Sequence, residues 1–197
     1  FEEETSKESL FAKLAGKHER LAAIKLDGAT KEDYVWGFRV GFITYGMTAA
    51  DPAVMNHLNQ SLEKKTAGCI RGNISNASHL GQTILLKAMA DPEYHPQKQE
   101  KFSLLQQRAA KIKTVLADPA YRSGFDVYPF NSGYFMCIRL KDVDAEQLRL
   151  HLLDKYGVGL IAIGDRNIRV AFSCLEETDV KPLFDIVMQG ISDLRAA

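Results

Sequence analysis

Apolar residues along the chain recur at two spacings, and each spacing predicts an element. Leu10, Phe11 and Leu14 share a helical face, with Thr5 as candidate N-cap and Gly16 as the stop. Residues 21–26 and 39–45 alternate as strands. Asp51-Pro52 opens a helix in the cap-then-proline order, with Met55, Leu58 and Leu62 on one face. Residues 68–76 break that helix, and a second one carries Leu80, Ile84, Leu85, Ala88 and Met89. Asp91-Pro92 and His95-Pro96 then punctuate the chain as a domain boundary. Beyond them Phe102, Leu105, Ala109, Ile112 and Leu116 fall at steps of three and four, one stripe on a long helix. Strands follow at 125–128 and 133–140. Asp144 with Gln147 forms a capping box, and Val143 with Leu148 a hydrophobic staple, so a helix starts there. Two more strands, 158–163 and 168–172, precede a last helix from Thr178 that buries Val180, Leu183, Phe184, Val187, Ile191 and Leu194. Helices and strands mixed in this order, with hairpin-length gaps late in the chain, make an α/β fold ending in an α/β sandwich.

Composition narrows the function classes. An apolar fraction of 46% with 25% charged residues is that of an ordinary globular protein, so the chain can bury a core. Lys plus Arg and Asp plus Glu number 25 each, which removes any electrostatic footprint for nucleic acid or an anionic membrane. The histidines are scattered without metal-ligand spacing, so no metal is expected. Cys69, Cys137 and Cys174 are far apart, two of them in apolar runs, and read as buried free thiols of a reducing compartment. No signal peptide or membrane-length apolar run is visible, and the cytoplasm is the expected location.

The chemistry concentrates in residues 26–42, LDGATKEDYVWGFRVGF. The pattern is strand, polar turn, strand, with Asp27-Gly28 starting the turn. Lys31 and Arg39 then stand at the two ends of one loop. An amine and a planar guanidinium directed into one pocket suit an aldehyde-bearing phosphate ester: the amine forms a Schiff base and the fork holds phosphate oxygens. Alternation places Arg39 on the strand face opposite Phe38 and Val40, and Gly41 admits a close neighbour. Trp36, Tyr34 and Tyr45 read as packing aromatics. Near the C-terminus, Ile168, Val170 and Phe172 take one strand face, leaving Arg169 on the other, toward water or a cleft. Arg166 sits in the preceding turn as a surface charge. Arg71 lies in the break between two helices, where it either caps carbonyls or binds a ligand.

Three motifs carry a family resemblance. Lys31, Arg39 eight residues on, and then Gly41 resemble the pyridoxal-phosphate lysine motif of the class I/II aminotransferases, the fold type I enzymes. The segment Asn167-Ile168-Arg169-Val170-Ala171-Phe172-Ser173 is similar to the family's strand bearing the arginine for the substrate α-carboxylate. Ile70-Arg71-Gly72-Asn73-Ile74-Ser75-Asn76 is similar to the I-R-x-x-x-S-N segment of the aspartate aminotransferase branch. Two departures stand out. Gly28 replaces a serine that often contacts the phosphate, and Ile74 with Ala77-Ser78 replaces a tyrosine and a proline pair.

The resemblance implies residues 1–90 as the rear of a large cofactor domain and 91–197 as the small domain. The chain starts at Phe1 followed by Glu2-Glu3-Glu4, and the expectation is a C-terminal portion, inactive alone, of a longer enzyme. It also implies Lys31 as the catalytic, cofactor-holding lysine, Arg39 as the phosphate ligand, and Arg169 and Arg71 as substrate ligands. The cofactor is pyridoxal 5'-phosphate and the substrates an amino acid, possibly dicarboxylic, and a 2-oxo acid. A homodimer is expected, with Arg71 reaching the partner's site. Another fold type I activity, a carbon–sulfur lyase or decarboxylase, and a non-catalytic folded fragment stay open.

Overall fold

The computed structural model describes residues 8–131 and 133–196. The chain forms two compact units, divided between Lys98 and Gln99. The division falls inside a long helix.

The first unit opens with α1 (Leu10–Leu14), whose cap is Ser9: its Oγ accepts from Ala12 N at 3.1 Å. The expected cap, Thr5, lies outside the described residues. Strands β1 (Ala23–Gly28) and β2 (Gly41–Gly46) pair antiparallel, from Ala23 opposite Gly46 to Gly28 opposite Gly41. Between them run the single turn α2 (Ala29–Glu32) and a 3-10 turn at Trp36–Phe38. Asp51 caps α3 (Pro52–Asn73) by accepting from Ala53 N at 2.8 Å, and Pro52 fills the first position, where its missing N–H costs nothing. The helix continues to Asn73, so residues 68–73 are helical and not the break expected from Gly68 and Gly72. No residue within those turns forces an exit. Helix α4 (His79–Met89), capped by Ser78, buries only Gly81 and Leu85, while Leu80, Ile84 and Met89 of the expected apolar face are exposed.

The second unit holds the main core. Helix α5 (Tyr94–Leu116) starts earlier than expected because Pro96 sits in its first turn, where proline is tolerated. A four-stranded antiparallel sheet follows in the order β3 (Phe125–Val127), β4 (Met136–Leu140), β6 (Asn167–Val170), β5 (Ile161–Ile163). Helix α6 (Ala145–Tyr156) is capped by Asp144, whose Oδ1 accepts from Glu146 N at 3.0 Å and Gln147 N at 2.9 Å. Helix α7 (Val180–Ala196) closes the chain. One face of the sheet, with Met136, Ile138, Leu140, Ile168 and Val170, packs with Ile112, Leu148, Leu152, Phe184, Val187 and Ile191 into a single cluster. Fully burying each such side chain contributes about 1.5–3 kcal/mol. Gly190 lets α7 approach α6: a Cβ there would meet Leu152 Cδ2 at 2.8 Å. The strands are shorter than the apolar runs that predict them, because Phe172 has already turned into a 3-10 segment, Phe172–Cys174.

All three cysteines are free, but Cys69 and Cys174 are exposed rather than buried. Cys69 lies on α3, which buries no residue, and Cys174 on the turn after β6. No helix among the described residues is long and apolar enough to cross a membrane.

Candidate active site

The loop bearing Lys31 and Arg39 starts where the hairpin ladder ends. Beyond the Gly28–Gly41 pair, Ala29 N donates to Val40 O at 3.1 Å, so residues 29 and 40 are pinned together and the ten between them form the loop tip. Its footing is a small apolar cluster of Ala29, Val40 and Leu85, with Val35 and Phe38 packed against it. Gly81 of α4 fits beneath the loop, for a Cβ there would stand 3.0 Å from Phe38 O and 3.2 Å from Val40 Cγ2. Gly41 is equally confined, since its Cβ would meet Asp27 O at 3.3 Å. The close neighbour it admits is thus the paired strand.

Lys31 is the third residue of α2 and exposed. Arg39 is also exposed, but it does not belong to the strand. It ends the 3-10 turn in the left-handed region, at φ 52° and ψ 41°, and β2 begins two residues later. Its orientation therefore follows from that backbone kink and not from strand alternation. A non-glycine residue in this region is uncommon and costs on the order of 1 kcal/mol, and Tyr34, at φ 58°, is a second case in the same loop. Among the described residues the Arg39 guanidinium has no ion pair or side-chain hydrogen bond. An amine and a partnerless guanidinium rooted at opposite ends of one loop fit the aldehyde and the phosphate of a pyridoxal-phosphate cofactor. Trp36, expected to pack, is 73% exposed at the loop tip, whereas Tyr45 bonds to the Thr66 hydroxyl of α3.

A polar cluster unforeseen from sequence stands beside Lys31. The Asp33 side chain, only 3% exposed, accepts from the Tyr94 hydroxyl and from Lys98 Nζ at 3.2 Å. Lys98 also reaches Glu32 Oε1 at 3.5 Å. Burial alone pulls the Lys98 ammonium down, yet the hydrogen bond and charge of Asp33 outweigh it and leave the pKa raised. The hydrogen bond to Asp33 likewise raises the Tyr94 hydroxyl. Asp33 was visible in the motif, but partners more than sixty residues away were not.

Arg71 lies in the last turn of α3, not in a break, and it is not unpaired: its Nη1 donates to Ser75 Oγ at 2.9 Å and Ser75 O at 3.4 Å. Ser75 adopts a left-handed φ of 66°, which brings its hydroxyl back toward the helix end. Both partners are neutral, so the cation is held in place without being neutralised.

In the second unit, strand β6 points Ile168 and Val170 into the core and Arg169 to the opposite face, opposite Cys137 and Ile161. The guanidinium sits over the Phe135 ring at 4.6 Å, and Arg169 Nε is buried without a hydrogen-bond partner among the described residues. Tyr128, Phe135, Ile163 and Asn167 on the same sheet face, together with Phe130, line a cavity of about 370 Å³. The ring fixes the plane of the guanidinium, and a planar guanidinium can hold a carboxylate through paired N–H donors. Behind it, the buried Arg108 of α5 donates to Ser173 O and to Glu176 Oε1 at 2.8 Å, pinning the segment that follows β6. Arg166 is a surface charge, hydrogen-bonded to Lys141 O.

The fold matches solved structures at high coverage and low identity. An aminotransferase from Anaerococcus prevotii superposes with a TM-score of 0.68 at 21% identity, over 92% of this chain and 42% of that one. The α-aminoadipate aminotransferase LysN from Thermus thermophilus, complexed with N-(5'-phosphopyridoxyl)-L-leucine, gives 0.63 at 17% identity, over 88% and 42%. An aspartate aminotransferase from Thermotoga maritima gives 0.60 at 13%, over 88% and 40%. The architecture is thus the mixed α/β fold of the fold type I aminotransferases. The profile of the family described as aminotransferase class I and II matches residues 5–187, and the chain belongs to that family. It spans about two fifths of the length of these solved relatives. A search of curated proteins found no match.

Proposed function

We propose that this chain is the C-terminal portion of a pyridoxal-phosphate-dependent aminotransferase, cytoplasmic and homodimeric when intact. Residues up to about 90 are the rear of its large domain and the rest its small domain. The observation that carries this reading is the closed loop with Lys31 at one end and, at the other, Arg39, which has no ion pair or side-chain hydrogen bond among the described residues, within a family match that spans both.

In this reading Lys31 and Arg39 hold the cofactor, Arg39 through its phosphate. When bound, the cofactor supplies an electron sink for the carbanion formed at the substrate α-carbon. Lys31 takes and returns the proton at that carbon. Arg169 binds the substrate α-carboxylate. Arg71, braced by Ser75, binds the side-chain carboxylate of glutamate or aspartate in the partner's site. The chain alone does not turn over.

The test is made in the intact parent. Lys31→Ala should abolish 2-oxo acid formation from an amino donor, and normal turnover in that variant would remove Lys31 from the mechanism. Arg39→Ala should weaken cofactor retention by roughly 1.5–3 kcal/mol, the worth of a charge-assisted hydrogen bond. Arg71→Ala should raise KM for glutamate and aspartate while sparing alanine. Equal effects on both donor classes would make Arg71 a structural residue.

A further inference from the structure

We propose that Asp33, locked by Tyr94 and Lys98, is the positioning residue for Lys31. The proposal rests on the reading of Lys31 as the cofactor-holding lysine. Helix α2 is one turn of four residues, far too short to be stable by itself, since helix nucleation is unfavourable and isolated helices are marginal below about 12–15 residues. Its turn is closed by Asp33 N donating to Ala29 O at 3.0 Å, and Lys31 lies inside that ring. The same Asp33 carries the side chain that leaves the loop and enters the cluster on α5. Backbone and side chain of one residue thus close the turn and fasten it to Tyr94 and Lys98 at the start of α5.

The chemistry of the cluster favours placement over bulk stability. A carboxylate with 3% of its surface exposed must be compensated by charge and hydrogen bonds, and Lys98 and Tyr94 supply both at a single oxygen, Oδ1. Buried ion pairs stabilise little compared with apolar residues of the same size, but they hold a geometry, because a carboxylate that slips from its partners is left uncompensated. Lys98 binds Glu32 as well, so the last residue of the turn and the one that follows it are held by one ammonium. The next residue, Tyr34, has a left-handed backbone, so the chain changes direction straight after the anchor. A reacting amine needs such restraint: a displacement of about 1 Å can cost on the order of a hundredfold in rate.

The experiment uses the intact parent loaded with pyridoxal phosphate. Borohydride fixation followed by peptide mapping measures how much cofactor becomes lysine-linked at Lys31, and a thermal melt of each variant reports the fold. Asp33→Ala should lower the fixed fraction at Lys31 by about tenfold, within the range expected for a misplaced reactive group. Asp33→Asn and Tyr94→Phe, which keep shape and lose only charge or one hydroxyl, should each lower it by a smaller factor with the melt unchanged. Lys31 fixed at the wild-type level in both conservative variants would overturn the proposal, even if Asp33→Ala failed to fold. Fixation in the wild type at a different lysine would instead overturn the reading of Lys31, and the positioning role with it.

Discussion

The two units bury their apolar residues very differently. In the second, the apolar pattern and the observed core coincide: Phe125, Met136, Ile138, Leu148, Leu152, Phe172, Phe184 and Ile191 are all essentially inaccessible. In the first, the same alternation yields strands whose apolar side chains stay open. Ile24, Leu26 and Ile43 occupy one face of a two-stranded sheet, and Leu26 is 77% exposed. Its buried cluster is only Ala29, Val40 and Leu85 with two partly buried neighbours. A lone two-stranded sheet is marginal in water. Periodicity reports which face a segment is built to cover, while burial depends on whether a covering element is present. The candidate residues divide along the same line. Arg169 stands on a sheet backed by a full core, whereas Lys31 and Arg39 stand on a loop held by a small cluster and a few polar ties.

The contrast breaks if its largest expected effect fails. Phe184→Ala should destabilise the second unit by about 3–5 kcal/mol, the usual cost of a large core aromatic. Leu85→Ala in the first unit should cost about 2 kcal/mol, the low end for leucine, because partly buried Val35 and Phe38 can close on the gap. Urea unfolding of both variants, followed by far-UV circular dichroism, checks the ranking. A larger loss from Leu85→Ala would mean that the first unit is the better packed one.

Gly81→Ala sharpens the comparison at the loop itself. Alanine improves helix propensity by about 1 kcal/mol, while crowding against Phe38 O costs about 1–3 kcal/mol. The net loss should therefore fall below that of Leu85→Ala. The displaced backbone is the one that carries Arg39, so phosphate affinity should drop more than stability does. Titration with pyridoxal phosphate beside a thermal melt separates the two, and unchanged affinity would show that the loop does not depend on α4.

Much of this architecture was legible in the chain. The pair of strands flanking the Lys31 loop, the caps at Asp51 and Asp144, the α5 stripe and the outward Arg169 all follow from local rules. The misses share a cause. The conformation of Arg39 depends on a 3-10 turn that strand alternation cannot reveal. The extension of α3 through Gly68 and Gly72 reflects how weakly a single glycine breaks a long helix. Arg71 meets Ser75 only because Ser75 turns left-handed. The Asp33 cluster and the Arg108 brace join residues more than sixty positions apart, and no periodicity connects such pairs.

The smallest expected effect separates surface electrostatics from core packing within the second unit. Asp193 of α7 gathers four donors: Oδ2 is 2.9 Å from His151 Nε2, 2.8 Å from Lys155 Nζ and 2.6 Å from the Tyr156 hydroxyl, while Gln189 Nε2 reaches Oδ1 at 3.1 Å. The hydrogen bond from His151, followed by those from Lys155, Tyr156 and Gln189, holds the carboxyl well below the usual carboxylate range. The folded state then binds fewer protons at this group than the unfolded chain, whose aspartate titrates near pH ~3.9. Its contribution to stability is accordingly complete above that value and is lost as pH falls below about 4 toward the depressed folded pKa. Asp193→Asn should be less stable than the wild type at pH 7, with the gap unchanged down to about pH 4 and narrowing toward pH ~3. Because these groups lie near the surface, added salt should shrink the gap at neutral pH. Urea midpoints at pH 7, 4 and 3 provide the measurement. If the variant lost stability in parallel with the wild type over that range, the acid sensitivity of this unit would belong to other carboxylates and the α6–α7 tie would carry none of it.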